Sequence, residues 1–289
     1  MLHSDFIEHF EQICSQIEKK PVKLRAYEKI YGGDIHQSYR LAMTHADYFV
    51  KINSADKIDM FNKEASGLQI LNESKSFVVP RVYQTGVFGQ HSFLLMQFVE
   101  SLISGSHPAD FAKKLAKMHQ CTNESYGLQI DNYIGILPQI NSLSDNWIDF
   151  YVNNRLKYQL NLAKNMIPVE IQQDFEKLYQ KLPELLPEEK PSLLHGDLWS
   201  GNYFYNLQGE AVVFDPAVYY GHREVDLAMM SLFGGFEKDI YYMYNEIFPL
   251  ESGWKERLKI YQLYPLLVHV NLFGESYLNS IQQILKDFV

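Results

Sequence analysis

The chain of 289 residues is 46% hydrophobic and 21% charged, which is the balance of a globular protein and excludes a disordered one. Its formal net charge is −9 and no extended basic face is evident, so nucleic-acid binding is not expected. The two cysteines are too few for a disulfide framework, and the lack of a signal-peptide pattern and of any apolar run of roughly 18 residues predicts a cytoplasmic enzyme without a membrane span.

The first third of the chain has the pattern of a small β-rich unit, which we expect to cover residues 1–99. An amphipathic helix is predicted to begin near Ser4 and to end before Pro21. Glycines between some of the strand-like runs that follow are typical of hairpin turns. These runs lie at residues 23–30, 37–41, 48–52, 82–87 and 92–98, with a second helix at 60–71.

Beyond about residue 100 the pattern becomes mostly helical. Short strands around a loop are expected at residues 192–214. We therefore expect a larger, mostly helical unit at residues 100–289, and an α+β fold class for the whole chain. Its helices are predicted at residues 109–119, 145–162 and 169–182, and again from about residue 225 onward.

The strongest chemical signal is the segment HGDLWSGN at residues 195–202, followed by Asp215 thirteen residues after Asn202. Phosphoryl transfer needs a carboxylate beside the attacking hydroxyl and oxygen ligands that hold Mg²⁺ on the phosphates of ATP. We expect Asp197 to be the catalytic base, and Asn202 and Asp215 to be the metal ligands. His195 is expected to support the loop by hydrogen bonding. The pattern predicts a kinase that uses ATP and Mg²⁺.

A lysine and a glutamate further upstream complete the pattern of a nucleotide site. Lys51 lies in a predicted strand, and Glu64 follows thirteen residues later in a predicted helix. In kinases a strand lysine binds the α- and β-phosphates, and a helix glutamate holds that lysine in place. Gly32 and Gly33 lie between two strands and can cover phosphates with backbone N–H groups, or can form only a hairpin turn.

The segment LLMQFVE at residues 94–100 ends the β-rich unit. In a two-lobed kinase the backbone at this edge hydrogen-bonds the adenine, so Gln97 and Val99 are the candidates for that contact. Considered alone, the segment is an ordinary buried strand.

With these motifs in place, the chain resembles the fructosamine kinase (ketosamine kinase) family, a branch of the aminoglycoside-phosphotransferase-like kinases. The resemblance runs almost end to end, and it implies a two-lobed protein-kinase-like fold with a small β-rich N-lobe and a larger, mostly helical C-lobe. The stretches that carry it are residues 194–202, 215–228 and 269–274, together with residues 131–135 and Trp147.

The resemblance also implies an activity, the ATP-dependent phosphorylation of the sugar 3-hydroxyl of a ketosamine. The substrate would be a small-molecule or protein-bound adduct of the ribulosamine or fructosamine type. The 3-phosphate destabilises such an adduct, so the activity would serve deglycation. Some relatives carry a redox-active cysteine in the glycine loop, but residues 33–35 are Gly-Asp-Ile here, and thiol control of the loop is not expected.

The acceptor side is predicted from a few residues that follow the base. Trp199 either packs against a sugar face or fills the space between the loop and the lobe. Arg223 and Glu224 either contact the substrate or pair on the surface. His269 and Asn271 either line the acceptor pocket or are hydrogen-bonded internally.

Two other functions stay open at this point. The enzymatic alternative is a kinase acting on a different hydroxyl, as aminoglycoside and choline kinases do. The alternative of a binding module without activity would be expected to lack Lys51, Asp197 or Asp215, and all three are present. Asp226 is expected to brace the catalytic loop from the start of a helix. The sequence does not identify the sugar, the amine that carries it or the oligomeric state.

Overall fold

The computed structural model describes residues 4–31, 35–102 and 107–289. Its first part is an antiparallel sheet that is covered by two helices, α1 (Ser4–Glu18) and α2 (Ile58–Glu73). The strands are β1 (Leu24–Ile30), β2 (Gln37–Met43), β3 (Asp47–Ser54), β4 (Val82–Phe88) and β5 (His91–Gln97). They lie in the order β1-β2-β3-β5-β4 within the described ranges.

The two faces of this sheet serve different purposes, because side chains alternate along a strand. On one face Phe93 packs against Phe10 of α1, with the ring centroids 5.3 Å apart. On the other face Leu94 joins a buried cluster that includes Phe61 of α2. Lys51 of β3 pairs with Leu94 across the ladder. The lysine side chain therefore points to the face that α2 covers.

The rest of the chain is mostly helical, with short paired strands between the helices. The helices are α3 (Pro108–His119), α4 (Trp147–Phe150), α5 (Tyr158–Leu162), α6 (Val169–Leu185), α7 (Glu224–Leu232), α8 (Lys238–Ile247), α9 (Trp254–Phe273) and α10 (Leu278–Phe288). The strands are β6 (Asn132–Ile134), β7 (Leu137–Gln139), β8 (Ser192–Leu194), β9 (Tyr203–Tyr205), β10 (Ala211–Val213) and β11 (Tyr219–Gly221). Strand β6 pairs with β7, β8 with β11, and β9 with β10.

Helix α9 is the central element of this larger part. Its buried residues lie on all sides and not along one stripe, as expected of a helix surrounded by other elements. It contacts α5, α7 and α10. Because α7 follows β11 and packs on α9, the two helices fix the position of the chain after β11.

The helices and strands predicted from the sequence are confirmed, with bounds that differ by a few residues. Strands β6, β7 and β11 were not predicted: each has only three residues, and each lies outside residues 192–214, where short strands were predicted. The π-helical segment Tyr151–Lys157, which joins α4 to α5, was not predicted either. The division of the chain at residues 99 and 100 stays a prediction. Within the described ranges, no helix combines the length and the apolar character that a bilayer span would need.

Candidate active site

The loop at residues 195–202 connects β8 to β9 and is held from behind by one carboxylate. Asp226, in the first turn of α7, accepts hydrogen bonds from the backbone N–H groups of His195 (2.8 Å) and Gly196 (2.9 Å). His119 of α3 lies 3.2 Å from the same carboxylate, and its other ring nitrogen lies 2.8 Å from the Tyr244 hydroxyl. Asp226 therefore braces the loop, as the sequence led us to expect.

The glycine of this loop is required by a close contact. Gly196 has a φ of +81°, in the left-handed region that favours glycine. A Cβ atom added to it would lie 2.1 Å from the carbonyl oxygen of Ala217. That distance is far inside van der Waals contact, so any other residue would push the loop away from the segment that precedes β11.

Asn202 and Asp197 face each other across the loop. The Asn202 Nδ2 donates to the backbone carbonyl oxygen of Asp197 at 2.8 Å and to its carboxylate Oδ2 at 3.1 Å. These contacts fix the orientation of the amide and leave its Oδ1 as the atom available to a cation. Asp215 lies beyond β10 with a φ of +55°, a conformation that only a few non-glycine residues adopt. This local strain is consistent with a functional position.

Lys51 connects the N-terminal sheet to Asp215, which follows β10. Its Nζ lies 2.7 Å from Glu64 Oε1 on α2, and it also forms an ion pair with Asp215. Burial alone would lower the pKa of Lys51, but the carboxylates of Asp215 and Glu64 outweigh that effect and keep its pKa above the usual value. The lysine is therefore charged at neutral pH. The structure thus brings together Lys51, Glu64 and Asp215, three of the predicted residues.

The environment of Asp197 is suited to proton transfer. Burial raises its pKa to about 7, and repulsion from the nearby Asp215 acts in the same direction, while the hydrogen bond from Asn202 opposes them. A base with a pKa near the working pH is efficient in proton transfer.

A cleft of about 500 Å³ joins these groups to a second, aromatic wall. Its polar side carries the lysine, the two aspartates and the asparagine described above. The cleft is also lined by rings with partly exposed surfaces, and Trp199, Phe233 and Phe273 are 36%, 42% and 58% exposed. The aromatic wall consists of Trp199, Phe233, His269, Phe273 and Tyr277. The cleft thus combines charged groups with apolar ring surfaces.

A hairpin formed by β6 and β7 closes one end of the cleft. The hydroxyl of Tyr133 donates to Asp59 Oδ2 of α2 at 3.0 Å. Gly135 at the turn of the hairpin lies against Leu272 of α9, since a Cβ atom there would be 3.1 Å from the leucine Cδ1. The hairpin therefore contacts both the helix that carries Glu64 and the helix that carries His269 and Phe273.

The structure corrects the hypothesis that Arg223 and Glu224 contact the substrate or pair on the surface. Arg223 is 4% exposed and forms two hydrogen bonds to the carboxylate of Glu189, at 2.7 and 2.8 Å. Glu224 is fully buried and pairs with Arg257, with Glu224 Oε1 and the guanidinium 2.6 Å apart. Neither residue lines the cleft. The strand β11 carries the chain away from the cleft before these residues are reached, which the sequence spacing could not reveal.

The other predicted site residues lie in different places. Trp199 and His269 line the cleft, whereas Asn271 donates to the backbone and side-chain oxygens of Gln159 and takes no part in it. The N–H of Gln97 donates to the carbonyl of Arg81 at 2.8 Å. Two further predictions, the role of Val99 together with Gln97 in adenine binding and the role of Gly32 and Gly33 above the phosphates, stay untested. The two glycines lie outside the described residues.

Sequence reasoning missed several residues of the cleft. Phe233 and Phe273 were indistinguishable from core aromatic residues, which are common. The signal that could have found part of the wall is the spacing of four residues between His269 and Phe273, which places them on one side of α9. Tyr133 was noted only as part of a family-like stretch.

The comparisons with known proteins agree with this arrangement. The family model described as fructosamine kinase matches residues 6–289. A probable ketoamine kinase of Enterococcus faecium is 43% identical over 264 residues, covering 90% of this chain and 94% of that protein. The chloroplastic protein-ribulosamine 3-kinase of Arabidopsis thaliana is 36% identical over 278 residues, covering 94% of this chain and 85% of that protein.

Solved structures show the same fold. The crystal structure of a candidate fructosamine-3-kinase from Haemophilus somnus superposes with a TM-score of 0.86 and 32% identity, covering 97% of this chain and 96% of that one. An aminoglycoside phosphotransferase with 12% identity superposes with a TM-score of 0.64, which bears on the fold alone. The predicted two-lobed, protein-kinase-like α+β fold is confirmed.

Proposed function

The chain belongs to the fructosamine kinase family, and from that premise we propose that it transfers the γ-phosphoryl group of ATP to the sugar 3-hydroxyl of a ketosamine. The family makes it a kinase that acts on a hydroxyl group. One observation supports the assignment most strongly. Lys51, Asp197, Asn202 and Asp215 line one cleft together with the residues of the aromatic wall.

In this proposal Asp197 is the general base. The acceptor hydroxyl attacks the γ-phosphorus, the bond from that phosphorus to the β–γ bridging oxygen breaks, and ADP leaves. The hydroxyl proton passes to the Asp197 carboxylate and then to solvent. Asn202 keeps that carboxylate oriented through its 3.1 Å hydrogen bond. Lys51, held by Glu64, takes the negative charge of the nucleotide phosphates.

We also propose Mg²⁺ as a cofactor, because the residues present fit this cation. Asn202 Oδ1 and the Asp215 carboxylate are hard oxygen donors, which this cation prefers. Among the described residues no cluster of three or more histidine, cysteine, aspartate or glutamate side chains could hold a metal alone. The remaining ligands would come from the nucleotide phosphates and water, as in other kinases. When bound, the cation would neutralise phosphate charge.

The composition of the cleft favours a ketosamine over an aminoglycoside. Its described acidic residues are Glu64, Asp197 and Asp215, and each has a role toward the nucleotide or the transferred proton. No carboxylates are left there for a polycation. The aromatic wall instead offers ring faces to a sugar and to the substituted amine that carries it. We assign Trp199 and His269 to acceptor binding on this basis.

The relatives support this substrate class, since they include probable ketoamine kinases and protein-ribulosamine 3-kinases. The 3-phosphate of the product destabilises the adduct, so the activity would serve deglycation. The substrate would be a free or protein-bound adduct. We expect the reaction to take place in the cytoplasm.

The test is a substrate panel with Mg·ATP. Ribulosamine and fructosamine derivatives of one amine, an aminoglycoside and choline are compared by ADP release, and phosphorus NMR identifies the hydroxyl that gains phosphate. We expect turnover of at least one ketosamine with phosphate on the 3-hydroxyl, and none of the aminoglycoside or choline. Turnover confined to the last two compounds, or phosphate on another hydroxyl, would overturn the proposal.

A further inference from the structure

One polar side chain of the cleft has no role in the transfer described above. His36 directly precedes β2 and lines the cleft together with Lys51 and Asp215. Gln37 pairs with Ile52 and Ser38 with Lys51 in the antiparallel ladder, so His36 lies across from Asn53. Positions two residues apart on a strand share a face. His36 therefore lies beside the lysine that the proposed function assigns to the phosphates.

The orientation of the Asn53 amide is fixed by two independent contacts. Its Oδ1 accepts a hydrogen bond from the backbone N–H of Ser54 at 2.8 Å. Its Nδ2 donates to the carbonyl oxygen of Ile35 at 3.2 Å. Both contacts would be repulsive with the amide turned over, because a donor would then face a donor and an acceptor an acceptor.

This orientation decides which nitrogen of His36 carries hydrogen. The Asn53 Nδ2 lies 2.8 Å from the His36 Nδ1. Since Nδ2 is a donor, Nδ1 must accept and carries no hydrogen. Burial lowers the pKa of His36 to about 4, and the charge of Lys51 adds to this effect against that of Asp215, so the ring is neutral at pH 7. Its hydrogen is therefore on Nε2.

The Nε2–H is a donor without a partner among the described residues. The hydrogen bond to Asn53 uses the other nitrogen, and the ring rests against Phe61 with centroids 4.8 Å apart. His36 also cannot compete with Asp197 for the proton of the acceptor, because its lone pair is already bound to Asn53. A neutral, oriented N–H beside Lys51 is suited to an anionic oxygen.

We propose that the Nε2–H of His36 donates a hydrogen bond to a phosphate oxygen of the bound nucleotide. The inference rests on the proposed function only in placing the nucleotide phosphates beside Lys51, and it is independent of the acceptor. The Asn53 amide acts as a positioning group, because it selects the tautomer that can donate. Because its ring is neutral, His36 would add a hydrogen bond to the phosphates without adding a positive charge to the cleft.

The test is nucleotide binding measured by calorimetry, with a non-hydrolysable ATP analogue and Mg²⁺, and separately with adenosine. We expect His36→Phe to weaken binding of the analogue by about tenfold, the equivalent of one hydrogen bond to a charged group, and to leave adenosine binding unchanged. His45→Phe, at an exposed histidine in the turn before β3, is the matched control and should bind both as the parent protein does.

A second variant tests the tautomer itself. Asn53→Leu keeps the approximate size of the side chain but removes the donor opposite Nδ1, so the ring is no longer held in the tautomer that can donate from Nε2. We expect the analogue to bind more weakly, by up to about the tenfold loss expected for His36→Phe. Nitrogen NMR of the ring should show hydrogen on Nε2 in the parent and a mixture of the two tautomers in the variant.

Three outcomes would overturn the proposal. Hydrogen on Nδ1 in the parent protein is one, and unchanged analogue binding by His36→Phe is another. The third is an equal loss of adenosine and analogue binding, which would indicate a general disturbance of the site. None of these results bears on the phosphorylation of ketosamines by the parent protein, so a failure here is distinct from a failure of the proposed function.

Discussion

Two regions of the molecule contain buried ion pairs of the same chemical type, but only one of them faces the cleft. In the first, Lys51 lies between Glu64 and Asp215, and the Asp215 side chain is 37% exposed. In the second, the region behind the catalytic loop, Arg223 pairs with Glu189 and rests 3.8 Å from the centroid of the Phe248 ring. A buried cation with a carboxylate partner is thus no sign of a functional site by itself.

The two cations differ in whether a ligand can approach them. Arg223 donates to both oxygens of Glu189 and to the carbonyl oxygens of Phe248 and Pro249, so its guanidinium is saturated by the protein. Lys51 has its carboxylate partners on a cleft wall, where a ligand can approach. We therefore expect changes in the cleft to lower the rate and changes behind the loop to lower the stability.

The largest effect on the cleft side is expected from Asp197→Ala. Removing the base should lower kcat by about 10³-fold or more, because general base catalysis contributes about 10²–10⁴. The affinity for Mg·ATP should stay within about twofold, since the ligands assigned to the nucleotide are unchanged. Steady-state kinetics and calorimetry check the two quantities. Asp215→Ala is the comparison variant, and it should weaken Mg·ATP binding as well. Near-normal turnover by Asp197→Ala would show that the base is wrongly assigned.

Behind the loop, Arg223→Met should act on stability. The variant leaves the half-buried Glu189 without its arginine partner, and breaking such a pair costs at most about 3–5 kcal/mol of the free energy of unfolding. Denaturant unfolding measures this loss. The KM for the acceptor should be unchanged in the protein that remains folded, because Arg223 does not line the cleft.

A matched double variant sharpens this test. Arg223→Met combined with Glu189→Leu removes both charges and should recover a large part of the lost stability. The opposite result for Arg223→Met would be an unchanged free energy of unfolding and a raised KM for the acceptor. It would mean that Arg223 contacts the substrate, which the structure argues against.

The same contrast explains how much could be read from the sequence. The spacing of Asp197, Asn202 and Asp215 is a local property of one loop and one strand, so it could be recognised without knowledge of the fold. Lys51 and Glu64 were found because a strand lysine and a helix glutamate occur in a known order before that loop. These residues converge on the cleft in the structure.

Other parts depend on how the chain turns in space. Arg223 and Glu224 follow Asp215 by only a few residues, but the intervening β11 pairs with β8 and turns them away from the cleft. The tautomer of His36 depends on a cross-strand contact with Asn53, which needs the register of the sheet. Phe233 reaches the cleft only through the packing of α7 on α9. A single ring such as Phe233 leaves no periodic signal in the sequence.

A smaller effect on the cleft side is expected from Gly201→Ala. A Cβ atom at this position would lie 2.2 Å from the Trp199 ring, so the ring must move. We expect the KM for the acceptor to rise about tenfold if one ring contact of about 1.4 kcal/mol is lost, with the KM for ATP unchanged. Steady-state kinetics with the best substrate of the panel measures both.

The control for this prediction is the variant Trp199→Ala. It should raise the acceptor KM by a similar factor, and adding Gly201→Ala to it should have no further effect because the ring is already absent. Additive effects of the two substitutions would mean that Gly201 acts through the backbone of the loop and not through the tryptophan.

The smallest effect is expected where the two parts of the molecule touch, at the hydrogen bond of Tyr133 with Asp59. Tyr133→Phe removes a partly exposed hydrogen bond worth about 0.5 kcal/mol, so the KM values for acceptor and Mg·ATP should each rise by roughly twofold. Both should change, because the hairpin contacts α2, and α2 carries the Glu64 that holds Lys51. Asp59→Ala should reproduce the effect, and Asp59→Asn should not, since the amide oxygen still accepts the bond. If Tyr133→Phe changed the acceptor KM alone, the hydroxyl would be a substrate contact, and the hairpin would have no part in holding α2 over the cleft.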